Sequence, residues 1–94
     1  MLEYIKEHII EELDGAVEYW TKALECKDEA MGTMFRHMAD AELEHANTLT
    51  KMLKKIEPDE SNMKESDTIY KNILEAYSSA MNKIEMIKKL YWAK

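Results

Sequence analysis

The sequence predicts an all-α fold, with three helices in a single domain that spans residues 1–94. Glycine occurs twice and proline once, whereas sheet folds need many more turn-forming residues. Glu, Lys and Met are abundant, and apolar residues recur every three or four positions in three long stretches. We therefore expect an antiparallel two-helix hairpin followed by a C-terminal helix.

The first helix is predicted over residues 2–26. At 100° per residue its apolar side chains fall on one face, and the acidic side chains between them fall on the opposite face. The apolar face comprises Leu2, Ile5, Ile9, Leu13, Ala16, Trp20, Ala23 and Leu24. Lys27 and Asp28 interrupt the pattern, and Asp28 is suited to cap the next helix because its carboxylate accepts hydrogen bonds from free backbone N–H groups.

The second helix is predicted over residues 29–56, and the short connection makes it antiparallel to the first. Its predicted apolar face comprises Met31, Met34, Phe35, Met38, Ala41, His45, Leu49, Met52, Leu53 and Ile56. Met and Ala outnumber the large aliphatic residues here. This composition suits a closed bundle core and also a face left open for a partner.

The third helix is predicted over residues 67–92. The polar segment from Glu57 to Ser61 contains Pro58, so residues 59–66 are predicted to be a linker. Ser66 or Asp67 is the predicted N-cap. The apolar face of this helix is predicted to comprise Tyr70, Ile73, Leu74, Tyr77, Ala80, Met81, Ile84 and Tyr91.

The charge and the cysteine content exclude several classes of function. A net charge of −6 repels phosphate backbones, so nucleic acid is not an expected partner. No apolar run reaches the roughly 20 residues that span a bilayer, and the first residues lack the pattern of a signal peptide. Cys26, the single cysteine, suits a reducing compartment. We expect a cytoplasmic protein with no membrane partner.

Three ionisable residues interrupt the predicted apolar faces. Glu42 and His45 are three positions apart on the second helix, and both point in nearly the same direction as Met38. Glu12 lies at the flank of the apolar face of the first helix. A buried carboxylate costs on the order of several kcal/mol unless it is paired or bound to a metal. These residues therefore predict a polar network or a metal site.

The register of the hairpin predicts that these residues meet. Glu12 and Glu42 are equally far from Lys27 in the sequence, so an antiparallel pair that turns there places them at one level, with His45 one turn beyond. Carboxylate-bridged di-iron sites in four-helix bundles use one Glu from each of two helices and Glu-x-x-His from each of the other two. The chain holds half of this set, and the apolar face of the third helix adds no ligand. We therefore expect a second copy to complete the site.

The same residues resemble those of the encapsulated ferritins, a branch of the ferritin-like superfamily that also includes the rubrerythrins. The likeness covers about residues 11–56 without a gap, through Glu11–Asp14, Tyr19, Cys26–Ala30 and Ala39–Ala46. It implies a ferroxidase that oxidises Fe²⁺ with dioxygen at a di-iron site shared between two subunits. The resemblance assigns Glu12, Glu42 and His45 as the catalytic iron ligands.

The resemblance has further implications for assembly and for secondary sites. It implies a ferritin-like four-helix bundle completed by dimerisation, a homo-oligomer built from dimers such as a decamer, and storage of the iron inside an encapsulin shell. Glu11 and Asp14 match a peripheral acidic metal-attracting site of the family, with Asp at position 14 in place of the usual Glu. Tyr19, on the same flank as Glu12, is a candidate hydrogen-bond donor to a ligand carboxylate.

Other functions stay open from the sequence. The same ligands accept Mn, Zn or Ca as well as Fe. A rubrerythrin-like peroxide reductase is a related enzymatic alternative, but a cysteine pair for a rubredoxin-type iron is missing. The alternative from another class is a non-enzymatic helical scaffold or metal-binding module. In that case the three residues form a buried polar network that fixes the register of a dimer.

Overall fold

The computed structural model describes residues 1–56 and 63–94, and these residues form three α-helices and no strand. The helices are α1 (Leu2–Glu25), α2 (Glu29–Lys55) and α3 (Met63–Ala93). The predicted all-α class is confirmed, and the predicted break around Pro58 lies outside the described residues. The molecule is elongated, with extents of 53 × 18 × 14 Å. None of the described helices combines the length and apolar content needed to span a bilayer.

The central helix is α1, which packs against both α2 and α3. The periodicity predicts its buried residues correctly, and these are Leu2, Ile5, Ile9, Leu13, Ala16, Trp20 and Ala23. Leu24, which was also expected on this face, is only half-buried. The helix ends one residue before the predicted position 26, where the backbone N–H of Cys26 donates to the carbonyl oxygens of Lys22 and Ala23. Large aliphatic side chains at regular spacing thus make α1 the core of the fold.

The hairpin between α1 and α2 turns at Asp28, which caps α2 as predicted. Its Oδ1 accepts a hydrogen bond from the backbone N–H of Met31 at 3.0 Å. Near the turn the ring of Tyr19 on α1 stacks on that of Phe35 on α2, with centroids 6.2 Å apart. Farther from the turn, Glu12 of α1 lies beside His45 of α2, so the two helices are antiparallel.

The predicted apolar face of α2 is only partly confirmed: Leu53 is buried, and Leu49 and Ile56 pack partly buried against the core, but the methionines are exposed. The buried residues of α2 repeat every seven positions and are mostly small: Gly32, Ala39, Ala46 and Leu53. Four methionines that were predicted to be buried are instead between 37% and 52% exposed, and we call them the methionine face: Met31, Met34, Met38 and Met52. Because the buried residues are mostly small, α2 can lie close to α1. The methionines are excluded from this contact; Met38, for example, points about 100° around the helix from Ala39.

The last helix, α3, begins at Met63, four residues before the predicted start. Ser66 and Asp67 therefore lie inside the helix, and Ser66 is buried instead of capping it. The buried residues of α3 follow a helical spacing: Ser66, Ile69, Ile73, Ala80 and Ile84. Leu74, which was predicted to face the core, is 70% exposed because it lies about 100° around the helix from Ile73.

Tyrosine side chains connect α3 to α2. Across the described ranges, no Cα atom of α2 lies within 8 Å of one in α3. The Tyr77 hydroxyl donates to Oδ1 of Asn47 at 2.9 Å and lies 3.2 Å from Oγ1 of Thr50. Asn47 is about 180° around α2 from Met38. The third helix therefore contacts the side of α2 opposite to the methionine face and leaves that face uncovered.

Candidate metal centre

Three ionisable side chains converge between α1 and α2. Glu12 comes from α1, and Glu42 and His45 come from adjacent turns of α2. One ligand atom of each residue lies within 4.8 Å of those of the other two. The structure therefore brings together the three residues that the hairpin register predicts to meet.

The cluster opens from the helix interface towards the surface. The side chain of Glu12 is 24% exposed and that of His45 is 62% exposed. Glu42 is half-buried between them. Along α2, His45 continues the seven-residue spacing of Met38 and Met52, so the cluster lies at the edge of the methionine face. One side of the centre is closed by α1, and the other is accessible.

Glu12 contributes an oxygen atom that lacks a partner. Its Oε2 is buried, and in the described residues no N–H or hydroxyl group donates a hydrogen bond to it, so that only a protonated Glu42 could act as its donor. Nδ1 of His45 lies 3.4 Å away, which is longer than the roughly 2.7–3.2 Å of a good N–H···O bond. A buried carboxylate oxygen without a donor is unfavourable. A bound cation would satisfy this atom.

The two carboxyl groups also act on each other. A hydrogen bond with Glu12, partial burial and repulsion from the same carboxylate raise the pKa of Glu42 from 4.5 to about 7, while His45 opposes the shift. A divalent cation between the two groups would relieve the repulsion and displace the proton. Two carboxylates and one imidazole suit Fe, Mn or Zn. The residues present therefore fit a metal centre.

The other predicted site residues lie outside this cluster. Glu11 and Asp14 are exposed. Oε2 of Glu11 lies 4.0 Å from Nδ1 of His8, which is on the same helix. Within the parts of the chain that the structure describes, no second group of three candidate ligands is found. The assignment of Glu11 and Asp14 to a peripheral acidic site therefore stays a prediction.

Tyr19 does not take the predicted position beside a ligand. Its ring stacks on Phe35, and Nζ of Lys22 lies 5.6 Å from the ring centroid. Among the described residues, its hydroxyl makes no hydrogen bond to Glu12 or Glu42. Within one subunit Tyr19 therefore packs between the two helices, and its role as a hydrogen-bond donor to a ligand carboxylate stays a prediction.

Sequence reasoning missed one neighbour of the cluster. A Cβ atom placed on Gly15 would lie 2.6 Å from Oε2 of Glu42. The sequence did contain one indication of this contact, since Gly15 lies in the interior of a predicted helix. Glycine lowers helix stability there and is usually kept because a neighbouring group needs the space.

A family model described as Rubrerythrin matches residues 3–93. The match extends over all three helices and includes every residue of the cluster. Searches of curated proteins and of solved structures gave no significant match.

Proposed function

The chain belongs to the rubrerythrin family, and on this premise we propose that it is one subunit of a di-iron ferroxidase. Proteins of this family typically bind two iron ions and are often redox enzymes. The observation that carries the proposal is the convergence of Glu12, Glu42 and His45, with one buried Glu12 oxygen to which no N–H or hydroxyl group donates. These residues are half of the four Glu and two His of a typical bundle site.

A second copy of the chain is the proposed source of the other ligands. The cluster lies at the edge of the methionine face, where side chains with large apolar surfaces are exposed. Two such faces related by a two-fold axis would bury the methionines and bring two sets of ligands together. Thioether side chains are flexible and adapt well to such a contact. The third helix leaves room for it, because it packs on the opposite side of α2.

The residues of the chain bind and orient Fe²⁺ as a substrate. Glu12 and Glu42 supply carboxylates that neutralise its charge, and His45 supplies a nitrogen ligand. Two Fe²⁺ ions each give one electron to a single dioxygen molecule. The dioxygen takes up two protons and becomes hydrogen peroxide, and two Fe³⁺ ions remain. Glu42 releases its own proton when iron binds, so binding is favoured as the pH rises.

Iron storage or detoxification inside an encapsulin compartment completes the proposal. This part, together with assembly of the dimers into a decamer, is supported by the resemblance to the encapsulated ferritins. Oxidised iron is poorly soluble, so an enzyme that produces it needs a place where the mineral can form.

The test is titration of metal-free protein with Fe²⁺ in air, followed by ultraviolet absorbance. We expect rapid oxidation that saturates near one iron per subunit, since two subunits share a two-metal site. Glu42→Gln removes a ligand and is expected to abolish the rapid phase. Glu44→Gln is the matched control, because Glu44 is exposed on the same helix and lies outside the cluster.

Oxidation no faster than in buffer alone would refute the ferroxidase proposal. Sedimentation velocity of a variant with Ala at positions 12, 42 and 45 then separates the remaining functions. Weaker assembly without any metal dependence would indicate the non-enzymatic scaffold. Binding of Zn²⁺ or Ca²⁺ without iron oxidation would indicate a redox-inert metal module.

A further inference from the structure

A glycine in the interior of α1 has no conformational reason to be there. Gly15 lies one turn after Glu12, and its φ is not positive, so an L-amino acid fits the backbone. Glycine weakens a helix interior relative to alanine. A glycine that is kept at such a position generally makes room for a neighbouring group.

The room beside Gly15 is occupied by one side chain. A Cβ on Gly15 would meet Oε2, Cδ and Cγ of Glu42 at 2.6, 3.3 and 3.6 Å, and these are its three nearest atoms outside the local helix. The nearest atoms are thus those of a carboxylate and not the backbone of α2. The missing methyl group thus leaves space for the side chain of Glu42.

We infer that Gly15 is a positioning residue, whose missing side chain forms the niche that receives the carboxylate of Glu42 and directs it towards Glu12 and His45. This inference rests on the proposed metal centre. A methyl group at position 15 would force the Glu42 carboxylate out of the niche. The displaced group is the far end of a flexible side chain, and the cluster is open on one side, so the helices need not move.

The other glycine of the chain provides a matched control. Gly32 lies in α2, and a Cβ there would meet the Tyr91 hydroxyl at 3.5 Å and the Ala23 carbonyl oxygen at 3.7 Å, which are ordinary contact distances. Both Gly→Ala substitutions improve helix propensity. Only the substitution at position 15 intrudes on the cluster.

The experiment compares wild type, Gly15→Ala, Gly32→Ala and Glu42→Gln by titration with Co²⁺, whose visible spectrum reports its coordination. We expect Gly15→Ala to weaken Co²⁺ binding at least tenfold and to change the spectrum, and Gly32→Ala to stay within about twofold of wild type. Equal affinity and an equal spectrum in Gly15→Ala and wild type would overturn the inference, provided that Glu42→Gln lowers the affinity. If Glu42→Gln has no effect, or if wild type binds no Co²⁺, the proposed metal centre itself fails.

Urea unfolding of the metal-free protein supplies a second readout, which is the difference between the effects of Gly15→Ala in two backgrounds; a purely structural role would give no difference. In a Glu42→Ala background, no carboxylate occupies the niche, so Gly15→Ala is expected to raise the urea midpoint by its full helix-propensity gain. In the wild-type background the gain is expected to be smaller, because the carboxylate must be displaced. Equal shifts in both backgrounds would show that position 15 and Glu42 are not coupled and would overturn the inference.

Discussion

Replacement of Glu42 by Gln is expected to stabilise the metal-free protein at neutral and alkaline pH and to leave it unchanged in acid. In the unfolded chain Glu42 titrates near its ordinary pKa of 4.5, whereas the hydrogen bond with Glu12, burial and repulsion hold its pKa at about 7 in the folded protein. Between these values the folded protein binds one proton more than the unfolded chain. Its free energy of unfolding therefore falls as the pH rises through this range.

The size of the effect follows from the shift and from the exposure of the cluster. A shift from 4.5 to about 7 would correspond to roughly 3 kcal/mol in a site closed to water. Glu42 is only half-buried and the cluster is open at the surface, so solvent screening reduces the expected value to about 1 kcal/mol. Gln is neutral and similar in shape, so the variant retains the favourable contacts of the protonated acid at every pH.

The assay is urea unfolding in the presence of a chelator, at one protein concentration, between about pH 5 and about pH 8. Wild type and Glu42→Gln are expected to have similar free energies of unfolding at the acidic end and to diverge as the pH rises. Glu44→Gln corrects for the change in net charge, since Glu44 is exposed on the same helix.

A difference between wild type and Glu42→Gln that does not change with pH would refute this reasoning. It would show that Glu42 does not hold its proton beside Glu12 in the folded protein. A variant that becomes less stable than wild type as the pH rises would show that ionised Glu42 is favourably paired.

Three further substitutions test the packing. Leu53→Ala is expected to lower the free energy of unfolding in urea by about 2–5 kcal/mol, because Leu53 is fully buried. The control is Lys54→Ala at an exposed position, and an equally small loss in both variants would contradict the prediction. Tyr77→Phe removes the hydrogen bond to Asn47 and is expected to cost about 1 kcal/mol; unchanged stability would show that α3 docks without it. Met38→Glu places a charge on the methionine face and is expected to leave a folded monomer in sedimentation velocity, whereas an intact dimer would exclude this face as the interface.

The sequence predicts the buried face of α1 well because that face is made of large residues. Ile9, Leu13 and Trp20 contribute strongly to any hydrophobic periodicity, and all three are buried. The meeting of Glu12 with Glu42 is also predictable, since a short turn leaves few registers for an antiparallel pair. For two long helices with a short connection, the residues that face each other can therefore be predicted by counting from the turn.

Of the buried face of α2, only Leu53 could be found in this way. Ala39 and Ala46 score as less hydrophobic than Met38, so periodicity assigns the larger apolar residues to the core. The structure selects the smaller residues, because the space between two close helices is limited. The role of Gly15 requires the position of the Glu42 carboxylate in three dimensions, which no pattern along one helix contains. The start of α3 was missed because Ser66 and Asp67 are good capping residues that happen to lie within a helix.

The seven-residue repeat of α2 has a consequence for its path around α1. A straight α-helix drifts by roughly 20° over seven residues, so a stripe that keeps this repeat along the helix requires a left-handed supercoil. Met31, Met38 and Met52 follow the same seven-residue repeat as the buried stripe, so the angle between the two rows stays constant along the helix. An extra residue in the first half of α2 would rotate everything after it by about 100°. Glu42 would then turn away from Glu12, and Met38 would move into the position that the small side chain of Ala39 occupies against α1.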